Sequence, residues 1–276
     1  QTLSCLVGSN GYWSLNLGSV RTADGTAYFS FTDGGDFLVL TATAGTDRQA
    51  SETVIAPATY EAEIPRMVLG SSGGEISVAV TNTRDTSFTI SWVTGEQVSG
   101  HILVGTTPEN VSTVINDVRG AGVLSMTHYV DVTGLSPSTT YYVDVVSGGV
   151  TYNNGGSHYV VTTGPTLGLA GSDTVYGKVL KKNGTTPAEG AIVYVKVQDS
   201  NGAGSAGESQ VLSCLVQDGW WSLNLGTLRT ADLQSYFAYS AVGDRTLVVV
   251  EGAGDGAATL AVDTGNDAPA PDIILQ

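Results

Sequence analysis

Three histidines, two cysteines and a scatter of acidic turns are the residues of this 276-residue chain best suited to chemistry. His101, His128 and His158 have no second His or Cys at the spacing a metal site needs. His128 precedes Tyr129 and His158 precedes Tyr159, which predicts places at strand edges. Serines are plentiful, but no G-x-S-x-G elbow strains one into a nucleophile. No nucleophile, base and orienting group can be argued together, so no catalytic residue and no enzyme activity are expected. No cofactor or metal is expected, with calcium kept open at three acidic turns: Asp33-Gly-Gly-Asp36, Asp199-Ser-Asn201 and Asp263-Thr-Gly-Asn-Asp267. None has the EF-hand spacing, and such residues also serve as ordinary turn formers. Asn110-Val-Ser112 and Asn183-Gly-Thr185 fit the glycosylation pattern.

The elements that would position these residues are strands, and one set of strands occurs twice. Gln1-Thr-Leu-Ser-Cys-Leu-Val7 returns as Gln210-Val-Leu-Ser-Cys-Leu-Val216, and Gly11-Tyr-Trp-Ser-Leu-Asn-Leu-Gly18 as Gly219-Trp-Trp-Ser-Leu-Asn-Leu-Gly226. Arg21-Thr-Ala-Asp24 matches Arg229-Thr-Ala-Asp232, so about half of the first forty or so positions are identical. In each copy the apolar residues alternate, as in Leu3, Cys5 and Val7, then Trp13, Leu15 and Leu17 after a Ser9-Asn-Gly11 turn. Period-two alternation predicts a hairpin with one apolar face. Further strands are predicted at Ala27–Phe31, Phe37–Thr43, Ser235–Ser240 and Leu247–Glu251.

Alternation also sorts the paired aromatics. Trp13 and Trp221 point into a core, leaving Tyr12 and Trp220 on the opposite face. An exposed ring there suits either a neighbouring subunit or a sugar, and interface packing is the favoured of the two. Cys5 and Cys214 sit at the same repeat position. Modules at opposite ends of a central domain would hold their sulfurs far beyond the roughly 6 Å between Cα atoms that a disulfide allows. A buried free thiol acting as a small hydrophobe is therefore expected, with an intermolecular disulfide as the alternative.

Upstream of the second copy lie Gly177-Lys-Val179, the Asn183-Gly184 turn, Pro187 and Gly190-Ala-Ile-Val-Tyr-Val195, followed by Asp218-Gly-Trp-Trp-Ser-Leu223. This run resembles carboxypeptidase regulatory-like domains, a transthyretin-like sandwich family. Between the copies, Ser87-Phe-Thr-Ile-Ser-Trp-Val93 places Phe88, Ile90 and Trp92 on one face, and Gly134-Leu-Ser-Pro-Ser-Thr-Thr-Tyr-Tyr-Val-Asp-Val145 follows. These segments resemble a fibronectin type III domain. The resemblance implies that Trp92 is its core tryptophan and that the Tyr141 hydroxyl bonds back to nearby backbone as a tyrosine corner. The expected fold is all-β: three tandem β-sandwich domains over residues 1–70 (partial transthyretin-like), 75–164 (fibronectin type III-like) and 173–276 (transthyretin-like), with linkers at 70–74 and 164–172.

Composition agrees with that reading. Charged residues are 13% of the chain and glycines number 36, a profile of short strands and tight turns. A formal charge of −15 repels phosphate backbones and anionic lipid, so nucleic acid and membrane surfaces are excluded as partners. No apolar run approaches the roughly 20 residues of a membrane-spanning helix. Gln1 is expected to be a mature or trimmed end, since neither an initiator Met nor a signal-type h-region stands there.

The first copy lacks the two strands that precede the second. Three explanations are open: a fragment of a longer protein, a rearrangement in which Tyr60–Leu69 fills the gap, or strands donated by a neighbouring subunit. Donation is favoured and implies a head-to-tail homopolymer, with Tyr12, Trp220, Leu3, Cys5 and Val7 as interface candidates. The expected role is an extracellular structural subunit of a cell-surface filament, stalk or layer. The alternative is a non-catalytic accessory or adhesive region of a larger secreted enzyme or adhesin, with carbohydrate or other cell-surface proteins as further partners.

Overall fold

The computed structural model describes residues 37–44, 48–55 and 76–276, and the chain divides into two compact units, Gln1–Met67 and Val68–Gln276. The chain is all-β. Among the described residues no helix is long and apolar enough to cross a membrane, which says nothing of a β-barrel. In the first unit, β1 (Phe37–Ala44) and β2 (Arg48–Ile55) pair antiparallel from Phe37 opposite Ile55 to Ala44 opposite Arg48. The predicted strand at Phe37–Thr43 is thus present. Ala27–Phe31, Tyr60–Leu69, Trp13 and the Asp33–Asp36 turn lie outside the described residues.

The second unit holds two hydrophobic cores. The first is enclosed by β3 (Val78–Thr81), β4 (Ser87–Gly105), β5 (Thr113–Asn116), β6 (Leu124–Thr133), β7 (Thr140–Ser147), β8 (Val150–Tyr152) and β9 (Tyr159–Thr162). Nineteen residues is long for a strand, and β4 serves both halves of the sandwich. Its first part pairs with β3 and β6, and its second part with β5 and β7. A register shift against β6 between Val93 and Val98 marks the bend, the usual function of a bulge. Phe88, Ile90 and Trp92 all point into this core, as predicted, with Trp92 1% exposed. The Ser136 N–H donates to the Tyr141 hydroxyl at 2.9 Å, which makes the tyrosine corner that the resemblance implies.

The second core lies between two sheets. One has the order β13 (Trp220–Asn224), β10 (Thr174–Leu180), β16 (Ile273–Ile274); the other has β12 (Leu212–Leu215), β11 (Ile192–Gln198), β14 (Arg245–Glu251), β15 (Ala257–Asp263). Val193, Val195 and Val197 from β11 meet Trp221, Val175 and Val179 from the opposite sheet.

Two predictions fail here. The segment 210–226 is not a ladder-paired hairpin. Gln217 and Trp220 form an isolated bridge, after which β12 joins one sheet and β13 the other. Both apolar faces still turn inward, because the strands line opposite walls of one core. Nor is Ser235–Ser240 a strand. Its backbone groups bond to scattered loops, with the Phe237 N–H on Leu228 O and the Ser205 N–H on Ala238 O, while Phe237 anchors the loop in the core.

Candidate functional site

The sequence candidates Tyr12, Leu3, Cys5 and Val7 lie outside the described residues. Their repeat counterparts Trp220, Leu212, Cys214 and Val216 do not. Leu212 and Val216 are buried in the second core, and Cys214 is a free thiol packed against it. Burial pushes the Cys214 thiol up to about 11, so it stays protonated and unreactive at neutral pH. Trp221 is 1% exposed and Trp220 45%, the division that alternation predicts. On the outer face of its sheet Trp220 is held by two neighbours on β10. The Lys178 ammonium lies 4.8 Å from the ring centroid, and the Tyr176 ring is 6.3 Å away, tilted by 39°.

Around Trp220 the two sandwiches leave an open cleft of about 500 Å³. Val118, Tyr129 and Asp131 line it from the first sandwich; Cys214, Gln217, Trp220 and Ser222 are among its residues from the second. The cleft is a product of the junction between the sandwiches, and the junction is what the sequence reading missed.

At that junction the outward face of the β3–β4–β6 sheet packs on β11 and β12. Thr89 and Ser91 alternate with core residues and read as solvent-facing, yet Ser91 is 0% exposed. Asn82, in the left-handed region at φ 52°, brackets Ser213 as a peptide group would. Its Oδ1 accepts the Ser213 N–H at 2.9 Å, and its Nδ2 donates to Ser213 O at 3.0 Å. The Asn82 backbone N–H adds a bond to Val211 O at 3.0 Å. The Tyr129 hydroxyl donates to Ser213 O at 2.8 Å, Thr81 and Ser213 hydroxyls meet at 2.6 Å, and Ser91 meets the Tyr194 hydroxyl at 2.9 Å. Burial pushes Tyr129 up to about 12, against the opposing pull of its bond to Ser213, and burial raises Tyr194 as well. Both phenols therefore remain protonated, and Tyr129 serves as a neutral donor.

A second set of contacts fixes the chain between the sandwiches. Arg229, 3% exposed, donates from Nη1 to Pro165 O at 2.8 Å, and its Nη2 lies 3.6 Å from Asp85 Oδ1. The Gly164 N–H donates to Arg84 O and Gly164 O accepts from Ser138 N–H, so the start of the predicted 164–172 linker is built into the fold. A Cβ at Gly164 would stand 2.4 Å from Arg229 Nη1, which explains the glycine.

The histidines do not form a site together. His128 is not at a strand edge: it sits in the body of β6, 0% exposed, stacked on Trp92 at 4.7 Å with planes 13° apart. Neither ring nitrogen has a hydrogen-bond partner among the described residues, and Asp117 Oδ2 is 3.9 Å from Nδ1. Burial drives His128 down to about 4 despite the Asp117 charge. Burial also acts to raise Asp117, but bonds from the Arg119 side chain and from the Arg119 and Tyr129 N–H groups outweigh it and hold the carboxyl low. His158 Nδ1 meets Asp144 Oδ1 at 2.7 Å. His101 lies within β4, opposite Val146 of β7.

Both acidic turns within the described residues spend carboxylate oxygens on backbone N–H groups of their own or a neighbouring loop. Asp199 Oδ1 accepts from Gly202 N–H at 2.7 Å, and Asp263 accepts from Gly265 and Gly243 N–H at 2.8 and 2.9 Å. Asp267 accepts from the Thr246 hydroxyl, and burial, with the charges of Asp173 and Asp263, raises its carboxyl. Among the described residues no group of three or more His, Cys, Asp or Glu is placed to hold a metal ion.

Comparison with known proteins finds a family model that is similar to one part of the chain. Residues 74–163 match the model of the purple acid phosphatase N-terminal domain, and this stretch holds the first sandwich of the second unit. No curated protein matches. Among solved structures, the FN1–FN3 domains of chicken CNTN1 align at 12% identity with a TM-score of 0.23, covering 63% of this chain and 60% of that one.

Proposed function

We propose that this chain is a structural subunit of an extracellular filament, stalk or layer, whose function lies in interfaces and mechanical continuity. The observation that carries the reading is the junction centred on Asn82, Tyr129 and Ser213. It joins two sandwich cores through buried, paired polar groups into one compact unit. A flexible string of binding modules needs no such joint, whereas a spacer that must hold its length does. The repeat at Gln1–Asp24 and Gln210–Asp232 adds modular construction, common in extended assemblies. Resemblance of residues 173–276 to transthyretin-like modules belongs to the same reading. Electron microscopy of the native material tests it: ordered filaments or layers are expected, and a monodisperse monomer at every concentration overturns it.

A second reading is favoured by the match of residues 74–163 to an N-terminal domain of an enzyme family. Here the chain is a non-catalytic accessory or adhesive region attached to a larger secreted protein. Intact-mass measurement on the native protein separates the two, because this reading requires a covalently continuous catalytic or adhesive domain.

A further inference from the structure

We propose that the cleft beside Trp220 binds a neutral oligosaccharide. The Trp220 ring stacks on a pyranose face, while Asp131, Gln217 and Ser222 bond to the hydroxyls around it. Such a site goes beyond the structural role and does not depend on it.

The ring is the first argument. Trp220 contributes little to the core, which Trp221 fills from the other side of β13, yet it is not left loose. Lys178 and Tyr176 on β10 fix its orientation, and bonds of 2.9 Å in each direction between Gln217 and Trp220 backbones fix the turn beneath it. A large, rigid, half-exposed aromatic binds at low entropic cost. The repeat keeps an aromatic at this position, Tyr12 in the first copy.

The surroundings are the second argument. Val118 and Cys214 give the cleft apolar walls, and the exposed polar side chains of Asp131, Gln217 and Ser222 lie in the same cleft as the ring. Asp131 Oδ1 accepts from the Thr89 hydroxyl at 2.6 Å, which orients the carboxylate and leaves acceptor capacity on Oδ2. A pyranose has an apolar C–H face and a rim of hydroxyls that both donate and accept. One aromatic face flanked by a carboxylate, an amide and a hydroxyl is complementary to it. At about 500 Å³ the cleft falls within the size range of small-ligand sites and holds more than one sugar unit. The Lys178 ammonium beside the ring brings one positive charge, but the Asp131 carboxylate in the cleft wall and the −15 charge of the chain oppose uronic acids and sulfated sugars, hence a neutral ligand.

The test is calorimetric titration of the full chain with hexasaccharides of β-1,4-linked glucose, mannose and N-acetylglucosamine, with hexagalacturonate as the charged comparison. At least one neutral hexasaccharide is expected to bind, quenching tryptophan fluorescence, while hexagalacturonate does not. Trp220→Ala weakens that binding by at least about tenfold with the melting temperature unchanged. Trp220→Tyr, the residue type of the first copy, retains most of it, and Gln217→Ala loses several-fold. Three results overturn the proposal: no neutral hexasaccharide bound at about 10 mM, binding that survives Trp220→Ala, or concentration-dependent self-association abolished by Trp220→Ala. The last assigns the face to contact between copies.

Discussion

At the scale of single residues the buried histidine has the clearest consequence. In the unfolded chain His128 takes up a proton as pH falls through about 6.5, whereas in the fold it resists until about 4. The native pKa is the depressed one, so the unfolded state binds more protons between these values and stability falls with acid across that window. Above pH 6.5 the contribution is fully present. By pH 4 this one group has removed about 3 kcal/mol, at roughly 1.4 kcal/mol for each tenfold change in proton affinity between the two states. Replacing it with Leu takes away the titration and the two unpartnered nitrogens. Urea unfolding at pH 7 and pH 4.5 is expected to show a smaller acid loss in His128→Leu than in the native chain; equal losses would refute the assignment. Gly100 lies against the same stack. A Cβ there would stand 2.5 Å from Trp92 Cζ2 and 2.6 Å from His128 Nδ1. Gly100→Ala is therefore expected to cost about 1–3 kcal/mol, as overpacking does, with a lowered denaturation midpoint as the readout.

At the scale of elements, much was legible wherever a strand buries one face. Phe88, Ile90, Trp92, Trp221 and Leu225 announced their faces by alternation, and the segment before Tyr141 announced its corner by its turn residues. Legibility failed where a second partner covers a polar face. Ser91 and Thr89 look solvated because their hydroxyls are polar, but both are buried under a junction that composition does not encode, Ser91 bonded across it to Tyr194 and Thr89 to Asp131 of its own sheet. It failed again at 210–226, since alternation fixes which face of a strand is apolar and not which sheet the strand joins. Of the cleft, Trp220 was found by alternation. Asp131 was not, because it is about 90 residues distant in sequence and only the junction brings it near. Asn82 is the element-scale counterpart of a paired strand, its side-chain amide standing in for a peptide opposite Ser213. Asn82→Ala leaves the Ser213 N–H and part of the demand of its carbonyl unmet in a buried place. A loss of about 2–3 kcal/mol is expected in chemical unfolding, more than a solvent-exposed Asn would give.

For the Val68–Gln276 unit as a whole, the junction makes two cores answer as one. Each sandwich alone has its own buried cluster, and each could open separately if the contact between them were weak. Here Ser213 is held by Asn82, Thr81 and Tyr129, Thr127 donates to Gly190 O at 2.7 Å, and Arg229 fastens the chain that passes between the sandwiches. Opening either core would leave these buried donors and acceptors without partners, a cost of several kcal/mol summed over the set. Hydrogen exchange in the native chain is therefore expected to give core amides of β6 and of β11 the same opening free energy, that of the whole unit. In the double variant Asn82→Ala, Tyr129→Phe the joint loses its central bonds while both hydrophobic cores stay intact. The two opening energies should then separate, with one sandwich exchanging well before the other. If β6 and β11 already differ in the native chain, the sandwiches are independent beads, and the stiff spacer on which the structural reading rests does not exist.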